Sequence, residues 1–175
     1  MEFVIEEVPA HLVLARRAVV EVANLGDFFG PVYDHLVEIC DAAGVEITGC
    51  RAYYFSGGES GSIDVAAAFT VPEEAADALR AVLDHIEQSD EETALIQDAQ
   101  DLPGLLSLNH YPAKSAAVID HAGAYDELGS VWNEFAQSLA AEEITVEETS
   151  FEDYIAMGDE AGMEPYTKLY WFIAK

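Results

Sequence analysis

Basic residues are scarce in this sequence. Seven Lys and Arg stand against 34 Asp and Glu, a formal charge of −27 over 175 residues. Proteins that hold nucleic acid neutralise phosphates with Lys and Arg, so direct DNA or RNA binding is not expected. A protein partner docking on the acidic surface is the macromolecular contact this charge would permit. Cysteine is also sparse. Cys40 falls late in a helical pattern and Cys50 at the start of a strand, with no CxxC and no His at metal-ligand spacing. Free, buried thiols are expected, with no metal and no cofactor. No apolar run approaches the ~18 residues of a membrane span. The opening stretch MEFVIEEVPA has acids where a secretory signal has a basic n-region, so a cytoplasmic protein is expected. The five His (11, 35, 85, 110, 121) are scattered, and no Ser-His-Asp, Cys-His or paired-carboxylate spacing appears. No catalytic residue can be named from spacing alone.

What is present is a globular pattern: 51% hydrophobic residues, evenly spread. Glu2 to Val8 alternates as a strand, and after Pro9 a second apolar run covers His11 to Val20. Asn24 is placed to cap a helix whose stripe is Leu25, Phe28, Phe29, Val32, Leu36 and Ile39. Pro31 would sit in its first turns and Gly44 would end it in a left-handed cap. Cys50 to Phe55 and Ser62 to Val71 read as a hairpin across the glycine-rich turn Ser56 to Gly61. A helical insert begins at Pro72, with Leu79, Val82, Leu83 and Ile86 on one face. Ser89 to Gly104 is acidic, with a short helix expected from Glu92 to Ala99. The acid-rich stretches Asp84 to Asp101 and Glu142 to Glu160 read as solvated faces and loops. Further on, the strand Ser115 to Ile119 runs through His121-Ala122-Gly123 into a helix bearing Tyr125, Leu128, Trp132, Phe135 and Leu139.

The second half repeats the first at an offset near one hundred residues. Val8-Pro9-Ala10 answers Tyr111-Pro112-Ala113. Phe29-Gly30-Pro31-Val32-Tyr33 answers Leu128-Gly129-Ser130-Val131-Trp132. Tyr53 answers Tyr154, and Asp64 to Phe69 answers Tyr166 to Trp171. The expected organisation is one α+β domain: repeat 1 over about 1–71, a helical insert over about 72–103, and repeat 2 over about 104–175. Two such units would form two antiparallel sheets related by a pseudo-twofold axis, with helices on one side and a ligand cleft at the axis.

The turn and helix HAGAYDELGSVW, with His121, Gly123, Tyr125, Leu128 and Gly129, the closing YTKLYWFIA and the repeat together resemble the GyrI-like small-molecule-binding family. That family includes effector-binding domains of multidrug-sensing transcription regulators such as BmrR and Rob. The resemblance spans nearly the whole chain outside the insert, and implies a cleft lined by Tyr53, Tyr154, Tyr170, Trp132 and Tyr33. Aromatic faces of this kind offer contact area and attract cations. The family usually places a glutamate on the closing strand, where this chain has Lys168, with Ala66 at the matching place in the first half. A lysine there would repel a cation and suit an anion, and its amine could become reactive if its pKa fell.

The expected function is therefore a stand-alone module binding a small aromatic or xenobiotic effector, serving transcription regulation or drug sequestration. Two alternatives remain: a hydrolase of electrophilic small molecules using Lys168, Tyr154 or Tyr170, and an acidic gyrase-inhibitor-like interaction protein.

Overall fold

The computed structural model describes residues 1–55, 61–88, 102–156, 158 and 164–175. The strands are β1 (Val4–Val8), β2 (His11–Glu21), β3 (Gly49–Tyr54), β4 (Ser62–Val71), β5 (Leu105–Tyr111), β6 (Lys114–Ala122), β7 (Val146–Ala156) and β8 (Tyr166–Ile173). The helices are α1 (Leu25–Ala43), α2 (Ala76–Gln88) and α3 (Leu128–Ala141). The helix expected at Glu92 to Ala99 and the side chain of Ile86 lie outside the described residues.

The chain is α+β, as expected. The two halves are joined: β3 pairs with β7, giving one eight-stranded antiparallel sheet of order β1-β6-β8-β7-β3-β4-β2-β5. This order reads the same from either end when each strand is exchanged for the one four places along, as a pseudo-twofold axis between β3 and β7 requires. The first strand of each half crosses to the other, β1 onto β6 and β5 onto β2.

Two short links force the sheet to curl. Pro9-Ala10 connects β1, first in the order, to β2, seventh; Pro112-Ala113 connects β5, eighth, to β6, second. In a flat sheet each link would bridge six strand spacings, ~29 Å. The chain from Val8 to His11 reaches only ~10 Å. The sheet ends are therefore drawn together over the centre. Val8, Val13, Tyr53, Phe151 and Phe172 form a helix-free core on the concave side. Ala15, Ala66, Ala68 and Ala116 leave room there for the rings.

The convex side carries the helices. Val32, Leu36 and Ile39 of α1 and Leu79 of α2 pack on Leu12, Leu14, Val65 and Phe69, while Phe135 and Leu139 of α3 pack on Ala117, Ile119 and Leu169. Two details of α1 differ from expectation. Asn24 makes no side-chain cap bond and instead donates to Glu21 Oε2 at 3.3 Å, because a 3₁₀ turn, Val22–Asn24, leads into the helix. Pro31 sits beyond the first turn, inside the helix, where its missing N–H leaves the Asp27 carbonyl without its i+4 donor. Gly44 ends α1 at φ 67°, a left-handed cap.

Candidate functional site

Strand alternation sorts the side chains at the axis onto two faces. In β3, Cys50 and Tyr54 face the helices, while Tyr53 faces the concave core. In β7, Glu152 and Tyr154 face the helices, while Phe151 faces the concave core. Ala52 and Glu152 are register partners across β3 and β7, so the axis passes between them. The methyl of Ala52 leaves space, and only one carboxylate occupies the centre.

Glu152 is 3% exposed. Trp132 Nε1 donates to its Oε1 at 2.8 Å, and the hydroxyls of Tyr154 and Tyr54 donate to its Oε2 at 2.6 and 3.2 Å. Among the described residues no Lys, Arg or His nitrogen forms an ion pair with it. Burial raises the Glu152 pKa, opposed by the three donors, which favour the charged form. The Tyr54 and Tyr154 hydroxyls are raised well above the ordinary tyrosine value, by burial first and then by Glu152. They donate to the carboxylate as neutral phenols.

The surrounding rings are held by core packing. Trp132, from α3, meets Trp171 edge-on at 5.6 Å and Tyr54 at 6.4 Å, and tilts on Phe135 at 5.9 Å. Tyr33, from α1, stacks on both Phe29 and Phe69, and its hydroxyl donates to the Arg51 carbonyl at 2.7 Å. The Cys50 thiol beside it is pushed up to about 11 by burial, too high for an activated nucleophile. Tyr125 comes from the 3₁₀ turn Tyr125–Glu127 ahead of α3 and sets its ring edge-on to Tyr154 at 5.7 Å.

The six residues expected at one cleft divide between the faces. Tyr33, Trp132 and Tyr154 meet around Glu152. Tyr53, Lys168 and Tyr170 lie on the concave side, because Tyr53 pairs with Phe151 and Lys168 pairs with Asp153 in register. Tyr53 stacks on Phe151 at 4.9 Å and accepts from Arg51 Nη1 at 3.0 Å, and its hydroxyl lies 2.8 Å from His11 Nε2. Tyr170 stacks on the same Phe151 at 4.5 Å. Both tyrosines belong to the packing of the curled sheet.

Lys168 does not replace a carboxylate at the axis. Its side chain is 29% exposed, and its Nζ lies 3.7 Å from Asp120. Burial works against its charge, but Tyr170, Asp120 and Glu6 outweigh it and raise its pKa. A lowered, reactive amine is therefore not formed. Ala66 likewise faces the concave core.

The register also corrects one repeat equivalence. With Ala66 answering Lys168, Val65 answers Thr167; these pair with Tyr54 and Tyr154 respectively. Tyr54, not Tyr53, is thus the partner of Tyr154 across the axis. Sequence reasoning missed Tyr54 and Glu152. The signal was present in FEDY, where Glu152 and Tyr154 share a face, but the acid-rich setting of Glu142 to Glu160 read as a solvated loop.

Two cavities lie away from this cluster. One of about 460 Å³ is lined by Glu21, Asp27, Phe28 and Pro103. The other, about 400 Å³, is lined by Phe3, Val4, Val118 and Glu142.

No family model and no curated protein matches the sequence. Solved structures do. The chain is similar to the EcmrR C-terminal domain, at TM-score 0.69 and 16% identity, over 99% of this chain and 98% of that one. It spans 57% of the longer EcmrR chain in a DNA complex, at TM-score 0.70. It is also similar to SAV2435, solved bound to tetraphenylphosphonium, at TM-score 0.62 and 13% identity, over 99% of this chain and 94% of that one. A third is a hydrolase encoded by lin2189 from Listeria innocua, at TM-score 0.63 and 12% identity, over 97% of this chain and 91% of that one. The chain shares its fold with these proteins. The GyrI-like expectation thereby stands at the level of the fold.

Proposed function

We propose that this chain binds lipophilic aromatic cations at Glu152, for sequestration or for regulation through another protein. The observation that carries this is the buried carboxylate satisfied by three neutral donors, with no cation paired to it among the described residues. Burying a carboxylate without a counter-ion is costly, and a cation brought by a ligand offsets that cost. The faces of Trp132, Tyr54 and Tyr154 add cation–π attraction and contact area. Tetraphenylphosphonium, the molecule bound to SAV2435, has this chemistry and serves as the probe. An anion preference set by Lys168 is not part of the proposal, because that side chain lies on the opposite face.

Calorimetric titration with tetraphenylphosphonium and with tetraphenylborate, a similar shape of opposite charge, tests it. Wild type should bind the cation, and Glu152→Gln should weaken it by about tenfold or more, the scale of one charge-assisted contact. Equal affinity for both ions, or no loss in the Gln variant, would remove Glu152 as the charge partner. A hydrolase using the same carboxylate remains the second possibility, favoured by the 2.6 Å contact between Tyr154 and Glu152. Turnover of a strained electrophile, lost in Glu152→Gln and Tyr154→Phe, would establish it.

A further inference from the structure

Thr167 of β8 is 0% exposed, and its Oγ1 has no hydrogen-bond partner among the described residues. Strand alternation puts it on the helix side with Leu169, which packs with Phe135 and Leu139 of α3. Its neighbours in register are Tyr154 on β7 and His121 on β6. Neither answers it. The Tyr154 hydroxyl donates to Glu152 at 2.6 Å, and His121 Nε2 lies 3.2 Å from the Ala124 carbonyl oxygen. Leaving a buried hydroxyl unbonded costs stability, and buried polar groups in folded proteins are nearly all paired.

The matching place in the first half shows that the fold does not need this hydroxyl. Val65 stands there, also 0% exposed, beside Tyr54 as Thr167 stands beside Tyr154. Valine has the shape of threonine without the hydroxyl. One half therefore fills the position with an apolar side chain, and the other keeps an unbonded hydroxyl at a cost. That hydroxyl lies next to the candidate site. Glu152 pairs with Leu169 in register, and Thr167 is two residues along the same strand, a diagonal of about 7–8 Å that an aromatic ring can reach across.

We propose that Thr167 bonds a hydroxyl or similar hydrogen-bonding group on the bound cation, held about one ring's length from its positive charge. This rests on the cation-binding function proposed above. Glu152 then selects for charge, and Thr167 selects among cations by that second polar group. The ligand supplies the partner that the folded chain lacks.

Calorimetric titration compares tetraphenylphosphonium with para-hydroxyphenyl-triphenylphosphonium, which differs from it by one hydroxyl. Wild type should favour the hydroxylated cation by about three- to tenfold, the scale of one neutral hydrogen bond. Thr167→Val should bind both equally, with tetraphenylphosphonium affinity within about twofold of wild type, while Thr167→Ser keeps the preference. Glu152→Gln should weaken both cations alike. Without ligand, Thr167→Val should melt about 2–4 °C higher, because it removes a hydroxyl that nothing bonds. A lower midpoint would show that the hydroxyl is bonded within the folded chain, and would overturn the assignment. Equal affinities in wild type, or a preference that persists in Thr167→Val, would overturn it and leave the cation function standing. Binding of neither cation by wild type would overturn both. Should the Val variant fail to fold, Thr167→Ala carries the same expectation for the preference.

Discussion

Glu152 holds its charge with neutral donors alone, so its proton couples both to folding and to ligand. Burial raises its pKa, and the folded protein therefore keeps the proton to higher pH than the unfolded chain does. The stability this group contributes is fully present below the ordinary glutamate value and is lost as pH rises through the raised, folded value. Across that window the unfolding midpoint of wild type should fall relative to Glu152→Gln, with the two curves parallel above it. A bound cation favours the carboxylate, so tetraphenylphosphonium affinity should rise over the same window and release a proton. Calorimetry in two buffers of different ionisation enthalpy measures that release; none at all would mean that Glu152 is already ionised or does not face the ligand. At this scale the sequence was half legible. Alternation shows that Tyr53 and Tyr54 point to opposite faces, but not which face lies under the helices. The choice of Tyr53 followed from an offset of 101 where the strand pairing requires 100. Glu152 was hidden in an acid-rich stretch where Glu142, Glu143 and Glu148 are exposed, because acidity along a stretch does not tell which residue faces inward.

Elements were read more securely than their junctions. Strand alternation and the helical stripes follow from periodicity; of the α1 stripe, Phe28, Val32, Leu36 and Ile39 are buried and Leu25 and Phe29 half-buried. The joining of two half-sheets into one was not legible, because pairing between β3 and β7 depends on contacts about one hundred residues apart. The start of β5 shows how tightly such a junction is built. Gly104 adopts φ +86°, and a Cβ added there would lie 2.1 Å from the Arg17 carbonyl oxygen and 2.7 Å from Ala18 Cβ. The buried Arg16 guanidinium also donates to the Gly104 carbonyl at 3.1 Å, clamping this point to β2. Gly104→Ala must therefore push β5 away from β2 as well as strain its own backbone. Urea unfolding should show a loss of at least about 1–3 kcal/mol. A loss below ~0.5 kcal/mol would mean that the β2–β5 edge tolerates displacement.

For the whole molecule, curl and charge act together. Curling draws both ends of the sheet over the axis, so the rings of Tyr53 and Phe151 brace from the concave side the same strands that present Tyr54 and Glu152 on the other. Among the described residues, four of the seven Lys and Arg, Arg17, Arg51, Lys114 and Lys168, pair with Asp64, Asp153, Glu147 and Asp120. Few cations then remain to offset the other acids, and the surface field stays strongly negative. Such a field destabilises the compact chain by self-repulsion and concentrates cations near it. Added salt screens both effects, over a Debye length of ~10 Å at 0.1 M and ~3 Å at 1 M. Thermal midpoints should therefore rise from 0.05 to 1 M salt, equally for sodium and potassium chloride, since screening needs no specific ion. Over the same range the association rate of tetraphenylphosphonium should fall while its dissociation rate stays nearly constant. Steering acts on the approach, whereas the Glu152 contact is buried and screened little. A dissociation rate that climbs with salt would instead place the bound cation at the exposed acidic surface, outside the aromatic cluster.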